Sequence, residues 1–169
     1  MEKQIENRVA KSGIINFDLS DLVDSSNFVG LDIKDQLFHG LILKEKDFRN
    51  YIKTEDWEKF NKKHVAVYCS ADAVIPTWAY MLIANKLHGI ASSFLFGSVD
   101  ELISQTYRGA IESIDTTGYK DRLVVIKGCG DDSVPVSAYM DITNKLKSSV
   151  KSLMFGEPCS TVPIYKRKA

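Results

Sequence analysis

Pro76-T-W-A-Y-M-L-I-A-N-K-Leu87 is answered, 59 residues on, by Pro135-V-S-A-Y-M-D-I-T-N-K-Leu146, with identity at Pro, Ala-Tyr-Met, Ile and Asn-Lys-Leu. The same shift carries His64-V-A-Val67 onto Leu123-V-V-Ile126, Asp72 onto Asp131, and Phe94-L-F-Gly97 onto Leu153-M-F-Gly156. Each copy reads as strand, polar loop, Pro-led helix and short strand. That order is a βαβ unit, whose two strands run parallel and whose crossover is right-handed. Between the copies, Val99, Leu102, Ile103, Tyr107, Ala110, Ile111 and Ile114 recur at helical spacing. The pattern predicts strands over 64–69, 90–96, 122–128 and 150–155, and helices over 76–88, 99–115 and 135–148. The simplest assembly is an α/β fold in which all four strands share one parallel-core sheet built from two duplicated βαβ units.

Differences between the copies predict how each helix sits. Trp78 and Leu82 share one helical face, and their counterparts are Ser137 and Asp141. The first helix is expected to bury that face, with Trp78 in the core, and the second to turn it to water. Pro76 and Pro135 open the helices where a missing N–H costs nothing, and Gly89 closes the first.

Residues 1–62 read as an N-terminal α+β cover on this core. Gln4 to Lys11 suits a short amphipathic helix, Gly13-I-I-N-Phe17 a strand, and Asp18 or Ser20 a cap for the next turn of chain. Leu41-I-Leu43 is a short apolar run. Lys44 to Lys53 places Phe48, Tyr51 and Ile52 on one helical side, and Thr54 can cap a last turn through Trp57 and Phe60. No linker composition divides the chain. The expectation is a single α/β domain: the cover, a first repeat over 63–97, a linking helix over 98–121, and a second repeat and tail over 122–169.

Charge and cysteine usage limit the function classes. Acidic and basic residues cancel at 22 each, so no whole-chain field recruits nucleic acid or an anionic membrane. The longest apolar run, Ala73 to Ala84, is broken by Pro76 and is shorter than the roughly 20 residues a bilayer span needs. Met1-E-K-Q-I-E-N-Arg8 lacks the apolar stretch of a secretory segment. Three widely spaced cysteines then point to a cytoplasmic chain with reduced thiols.

The repeat puts Cys69 and Cys129 where their strands run into loops, and Cys159 a few residues beyond the last strand. Each is followed by a similar phrase: Cys69-S-A-D-A-V-I-Pro76, Cys129-G-D-D-S-V-Pro135 and Cys159-S-T-V-Pro163. In one parallel sheet these exits fall on the carboxyl edge, where open α/β folds bind ligands. Helix starts at Pro76 and Pro135 favour thiolates there, while Asp72, Asp131 and Asp132 ask for a cation. The expected site is a metal centre of Cys69, Cys129 and Cys159 with Asp72 or Asp131, or with His39, as the fourth ligand, holding zinc or an iron–sulfur cluster, with at least two thiols within about 8 Å. His64 lies at the far end of its strand and His88 at the far end of its helix, so neither is a ligand; His39 beside Gly40 has no predicted place. Spacings of 60 and 30 residues match no compact metal signature, and isolated cysteines often simply pack. Gly128-C-Gly130 suits a tight strand exit, and Lys166-R-Lys168 a solvated tail.

The phrases Leu37-F-H-G-L-I-L-K-E-K-D-F-Arg49, Val67-Y-C-S-A-D-A-V-I-P-T-W-A-Tyr80 and Gly156-E-P-C-S-T-V-P-I-Tyr165 resemble the bacterial DUF2480 family, over essentially the whole chain. The resemblance implies an α/β domain with no established activity, and partners among iron–sulfur assembly proteins. A three-cysteine, one-aspartate set is also similar to that of the U-type iron–sulfur scaffolds, although cysteine spacing and strand order differ. Two other classes remain open. One is a small enzyme with a thiolate nucleophile at a helix start and an aspartate as its acid or base, a reading weakened by the lack of a histidine on that edge. The other is a protein-interaction domain whose cysteines only pack.

Overall fold

The computed structural model describes residues 13–128, 133–157 and 160–168. In chain order the elements are β1 (Ile14–Phe17), β2 (Phe28–Asp32), α1 (Glu45–Thr54), β3 (His64–Tyr68), α2 (Thr77–Leu87) and β4 (Ser93–Phe96). Then come α3 (Val99–Glu112), β5 (Leu123–Ile126), α4 (Val136–Lys147), β6 (Ser152–Glu157) and β7 (Ser160–Lys166). The expected helix over Gln4 to Lys11 lies outside the described residues.

The fold is mixed α/β and dominated by parallel pairing, but the strands form two sheets rather than one. One runs in the order β2-β3-β4 and the other β1-β5-β6-β7. The chain divides accordingly into a compact unit over Ser25–Gln105 and a second made of Met1–Asp24 and Thr106–Ala169. The strands at 64–68 and 123–126 therefore do not share a sheet. The reason lies in the N-terminal segment, which does more than cover a core. Its β2 pairs in parallel with β3, and its β1 with β5, so the leading strand of each copy takes an N-terminal strand as its neighbour on one side.

Within each sheet the repeat keeps its register. His64 pairs with Ser93 and Val67 with Phe96; 59 residues on, Leu123 pairs with Ser152 and Ile126 with Phe155. The residues shared by the two helices explain why both dock alike. Ala79, Ile83 and Leu87 recur at i, i+4 and i+8 and are fully buried, as are Ala138, Ile142 and Leu146. The Met of each copy faces outward instead: Met81 is 67% and Met140 72% exposed. Trp78 and Leu82 are half-buried flanks of the core, with Trp78 edge-on to Phe48 at 5.9 Å. Their counterparts are not turned to water as expected. Asp141 accepts from Arg108 Nε of α3 at 3.2 Å, and the Ser137 hydroxyl is buried with no partner among the described residues. A neighbouring helix covers that face, so a polar side chain there finds a protein partner or none.

In the Ser25–Gln105 unit, Phe48 and Ile52 of α1 join Trp57, Phe60, Val65, Ile83 and Leu87 in one core. Each such side chain contributes about 1.5–3 kcal/mol by leaving water. Trp57 buries its ring while Nε1 donates to the Ile52 carbonyl at 3.0 Å. The turn over Trp57–Phe60 is capped by Asp56, which accepts from the Glu58 N–H, and not by Thr54, whose hydroxyl bonds back to the Asn50 carbonyl. In the other unit Val124, Val125, Ile142, Leu146, Val150 and Leu153 are buried.

Two strands were not foreseen. β2 holds a glycine, Gly30, where the Tyr68 ring lies across the strand and would sit 3.0 Å from an added Cβ. β7 contains Pro163, which an edge strand tolerates because its outer N–H has no ladder to join. It pairs antiparallel with β6, from Ser152↔Lys166 to Glu157↔Ser160. The expected solvated tail is thereby anchored: Lys166 ends β7, and Arg167 binds the Asp121 carboxylate and the carbonyls of Ser148 and Ser149.

Candidate functional site

The carboxyl ends of the parallel strands carry polar side chains in both sheets, and each end is organised around an aspartate. Asp32 closes β2. Its carboxylate accepts from the Lys34 N–H at 3.0 Å, the Ser70 N–H at 3.1 Å and the Ser70 hydroxyl at 2.6 Å. It thus ties its own turn to the loop leaving β3. In the other sheet Asp18 follows β1 and accepts from the Ser20 N–H at 3.1 Å, the Ser20 hydroxyl at 2.7 Å and Lys127 Nζ at 3.2 Å. It ties β1 to the exit of β5.

Both carboxyls titrate below the usual range. For Asp32, partial burial opposes ionisation, but the hydrogen bonds from Ser70 and Lys34 outweigh it. For Asp18 the Ser20 hydroxyl acts first, against burial, with Lys127 adding to it. Lys127 is raised in turn by the Asp18 hydrogen bond and charge. The sequence offered Asp18 only as a cap, and Asp32 and Ser70 were missed. A signal existed: Phe17-Asp18-Leu19-Ser20 matches Leu31-Asp32-Ile33-Lys34 in type at a shift of 14, and Leu19 and Ile33 are both buried.

Asp32 gives a pH-dependent expectation. Its pKa in the folded chain lies below the ordinary 3.8, so its stabilisation is complete above that value and is lost as pH falls through the folded pKa. Asp32→Ala should therefore cost about 1 kcal/mol at neutral pH. The difference from the parent should shrink as pH is lowered from neutral through the depressed carboxyl pKa. Urea unfolding at neutral and at acid pH reads this, and a difference that persists in acid would rule the account out.

Of the expected ligands, Cys69 directly follows β3 and is half-buried. Its thiol points to the Ala71 carbonyl at 3.8 Å, inside its own turn. Asp72 is exposed on the same loop. The phenol of Tyr80 is raised by burial and by the charge of Cys69. Cys129, Asp131 and Cys159 lie outside the described residues. Because β3 and β5 belong to different sheets, the three cysteines do not follow strands of one common edge, as the single-sheet reading required. Cys129 and Cys159 do follow strands of one sheet. Among the described residues no group of three His, Cys, Asp or Glu side chains could hold a metal ion.

His64 is stacked on Phe28 at 4.8 Å, its Nδ1 lies 2.7 Å from the Ser93 hydroxyl, and burial lowers its pKa. His88 follows the end of α2 and is exposed. His39 sits at positive φ beside Gly40, with its ring edge-on to Phe38.

Each βαβ unit also carries an aromatic pair over a small groove. Tyr80 meets Phe96 at 4.9 Å, and Tyr139 meets Phe155 at 5.6 Å, the same positions shifted by 59. The first groove has a volume of about 300 Å³ and the second about 90 Å³. The second is narrowed by Ile164, which β7 lays along it.

No described helix is long and apolar enough to cross a membrane. The family described as "Protein of unknown function (DUF2480)" matches residues 3–167. No curated protein and no solved structure matches the chain.

Proposed function

We propose, for a chain that belongs to the DUF2480 family, a non-enzymatic role in the bacterial cytoplasm. It binds zinc or an iron–sulfur cluster through Cys129 and Cys159, with Asp131 as the oxygen ligand. The observation that supports this reading is the pairing of β5 with β6. Ile126 and Phe155 are register partners on adjacent strands, which run about 4.8 Å apart. Cys129 comes three residues after the first, and Cys159 four after the second. Two soft thiolates and a carboxylate reached from neighbouring strand ends form a donor set that suits zinc or iron better than magnesium or calcium. Cys69 and Asp72 are left a lesser part, because the Cys69 thiol already engages Ala71 and its side chain packs on the apolar core. The partners on this reading are proteins of iron–sulfur assembly that deliver or receive the metal or cluster.

Elemental analysis and absorption spectra of protein purified without air test the proposal. The parent chain should carry close to one equivalent of zinc, or iron with sulfide. Cys129→Ser and Cys159→Ser should each lose most of it, while Cys69→Ser and His88→Gln retain it. A metal-free parent chain sinks the reading. Equal loss from all four variants would show general destabilisation instead.

A further inference from the structure

From the contrast between the two βαβ units we infer that β4 is an interface strand, and that its occupant is β4 of a second copy of this chain, paired antiparallel. In one unit β6 is an inner strand, because β7 adds to it along Ser152–Glu157. In the other, β4 stands at the same place in the repeat and, among the described residues, hydrogen-bonds only to β3, ending its sheet. The groove next to β4 matches the one that Ile164 narrows beside β6, and it is left more than three times larger. Phe94, Phe96 and Met81 line it and are all exposed, Phe96 at 71%.

The chemistry of the edge selects a second copy. Proteins protect edge strands with charges, proline or bulges. β7 carries Pro163, Lys166 and a register irregularity facing Leu153/Met154 of β6, and β2 ends on Asp32. The stretch Ala91-S-S-F-L-F-G-Ser98 has no ionisable side chain and no proline. Paired with itself about Leu95, it sets Phe94 opposite the other copy's Phe96 and Ser93 opposite its Gly97. No charge meets a like charge. Two aromatic cross-strand pairs form on the face of Tyr80 and Met81, each of them a favourable contact. The other copy's Phe94 then does at this groove what Ile164 does at the second, and two three-stranded sheets join into one of six strands.

Sedimentation velocity on the full chain from about 1 to 100 μM tests this. The parent should sediment with twice the 19.0 kDa chain mass at the upper end of the range. Phe96→Lys replaces the ring in both cross-strand pairs with a charge that must be desolvated against the other copy's Phe94, and sets the two added cations about 7–8 Å apart on the diagonal, so it should weaken the dimer at least about a hundredfold. Met81→Lys, on the helix beside the groove, should weaken it less. Both sites are exposed, so the far-UV spectrum should be unchanged, and the melting temperature should differ little at a concentration where the parent is monomeric. Val162→Lys on β7, at a site 58% exposed, should leave the dimer intact. A parent that stays monomeric at 100 μM overturns the inference, and so does a dimer that survives Phe96→Lys.

Discussion

Ile83→Ala and Ile142→Ala should each cost about 2–5 kcal/mol, enough on its own to threaten a domain of ordinary stability. Both side chains are fully buried at the centre of an Ala-x-x-x-Ile-x-x-x-Leu stripe. The stripe is the part of the repeat that packs, so the shared residues are not equal in weight. Ile83 sits in a core with Phe48, Val65 and Leu87, none of which can follow a shrinking neighbour without leaving its own contacts. The cavity therefore stays partly open and adds to the lost transfer energy. Met81 and Met140 are equally shared but mostly exposed, and their change to alanine should stay within about 0.5 kcal/mol. Urea midpoints at constant slope read the difference. Isoleucine costs no larger than the methionine ones would mean that the helices do not dock through this stripe.

That stripe also shows what could be read in advance. A period of 3.6 marks a helix wherever its apolar face is continuous, so α2, α3 and α4 were legible to within a few residues, as were the strands β3 and β5 that precede α2 and α4. Sheet membership was not legible. Val65 and Val124 look alike as strand residues, and which flank each strand offers depends on β1 and β2, distant in sequence. β2 escaped because Gly30 interrupts a run of only five residues that ends on a charge. β7 escaped because Pro163 reads as a loop signal, although proline fits an edge. The site was legible only as positions. Strand exits could be counted from the repeat, which put Cys69 at the end of β3. The same counting assumed one sheet, and so grouped Cys69 with two cysteines that follow strands of the other. The aspartates that organise both edges were passed over because a lone Asp after an apolar strand looks like a turn residue. The partners of Asp32 and Asp18 across the sheet, Ser70 and Lys127, are 38 and 109 residues away.

Gly128 gives the other large expected effect, and one that can be relieved. It follows β5, and the ring of Phe155 lies across it. A Cβ added there would meet Phe155 Cζ at 1.9 Å and Cε2 at 2.1 Å. A methyl group cannot share that space, so the whole ring must swing aside and give up its edge-on contact with Tyr139. At the matching position of the first unit stands Cys69, with a side chain of its own, and there the matching ring, Phe96, remains mostly exposed. Gly128→Ala should accordingly cost about 1–3 kcal/mol by overpacking. Phe155→Leu removes the ring edge that collides, so in its presence the cost of Gly128→Ala should fall by about 1 kcal/mol or more. The same change in Cys69, to alanine, should show no such coupling to Phe96→Leu. Unfolding free energies for the four chains of the Gly128 and Phe155 cycle decide the matter. If the two changes simply add, the ring does not rest on the glycine.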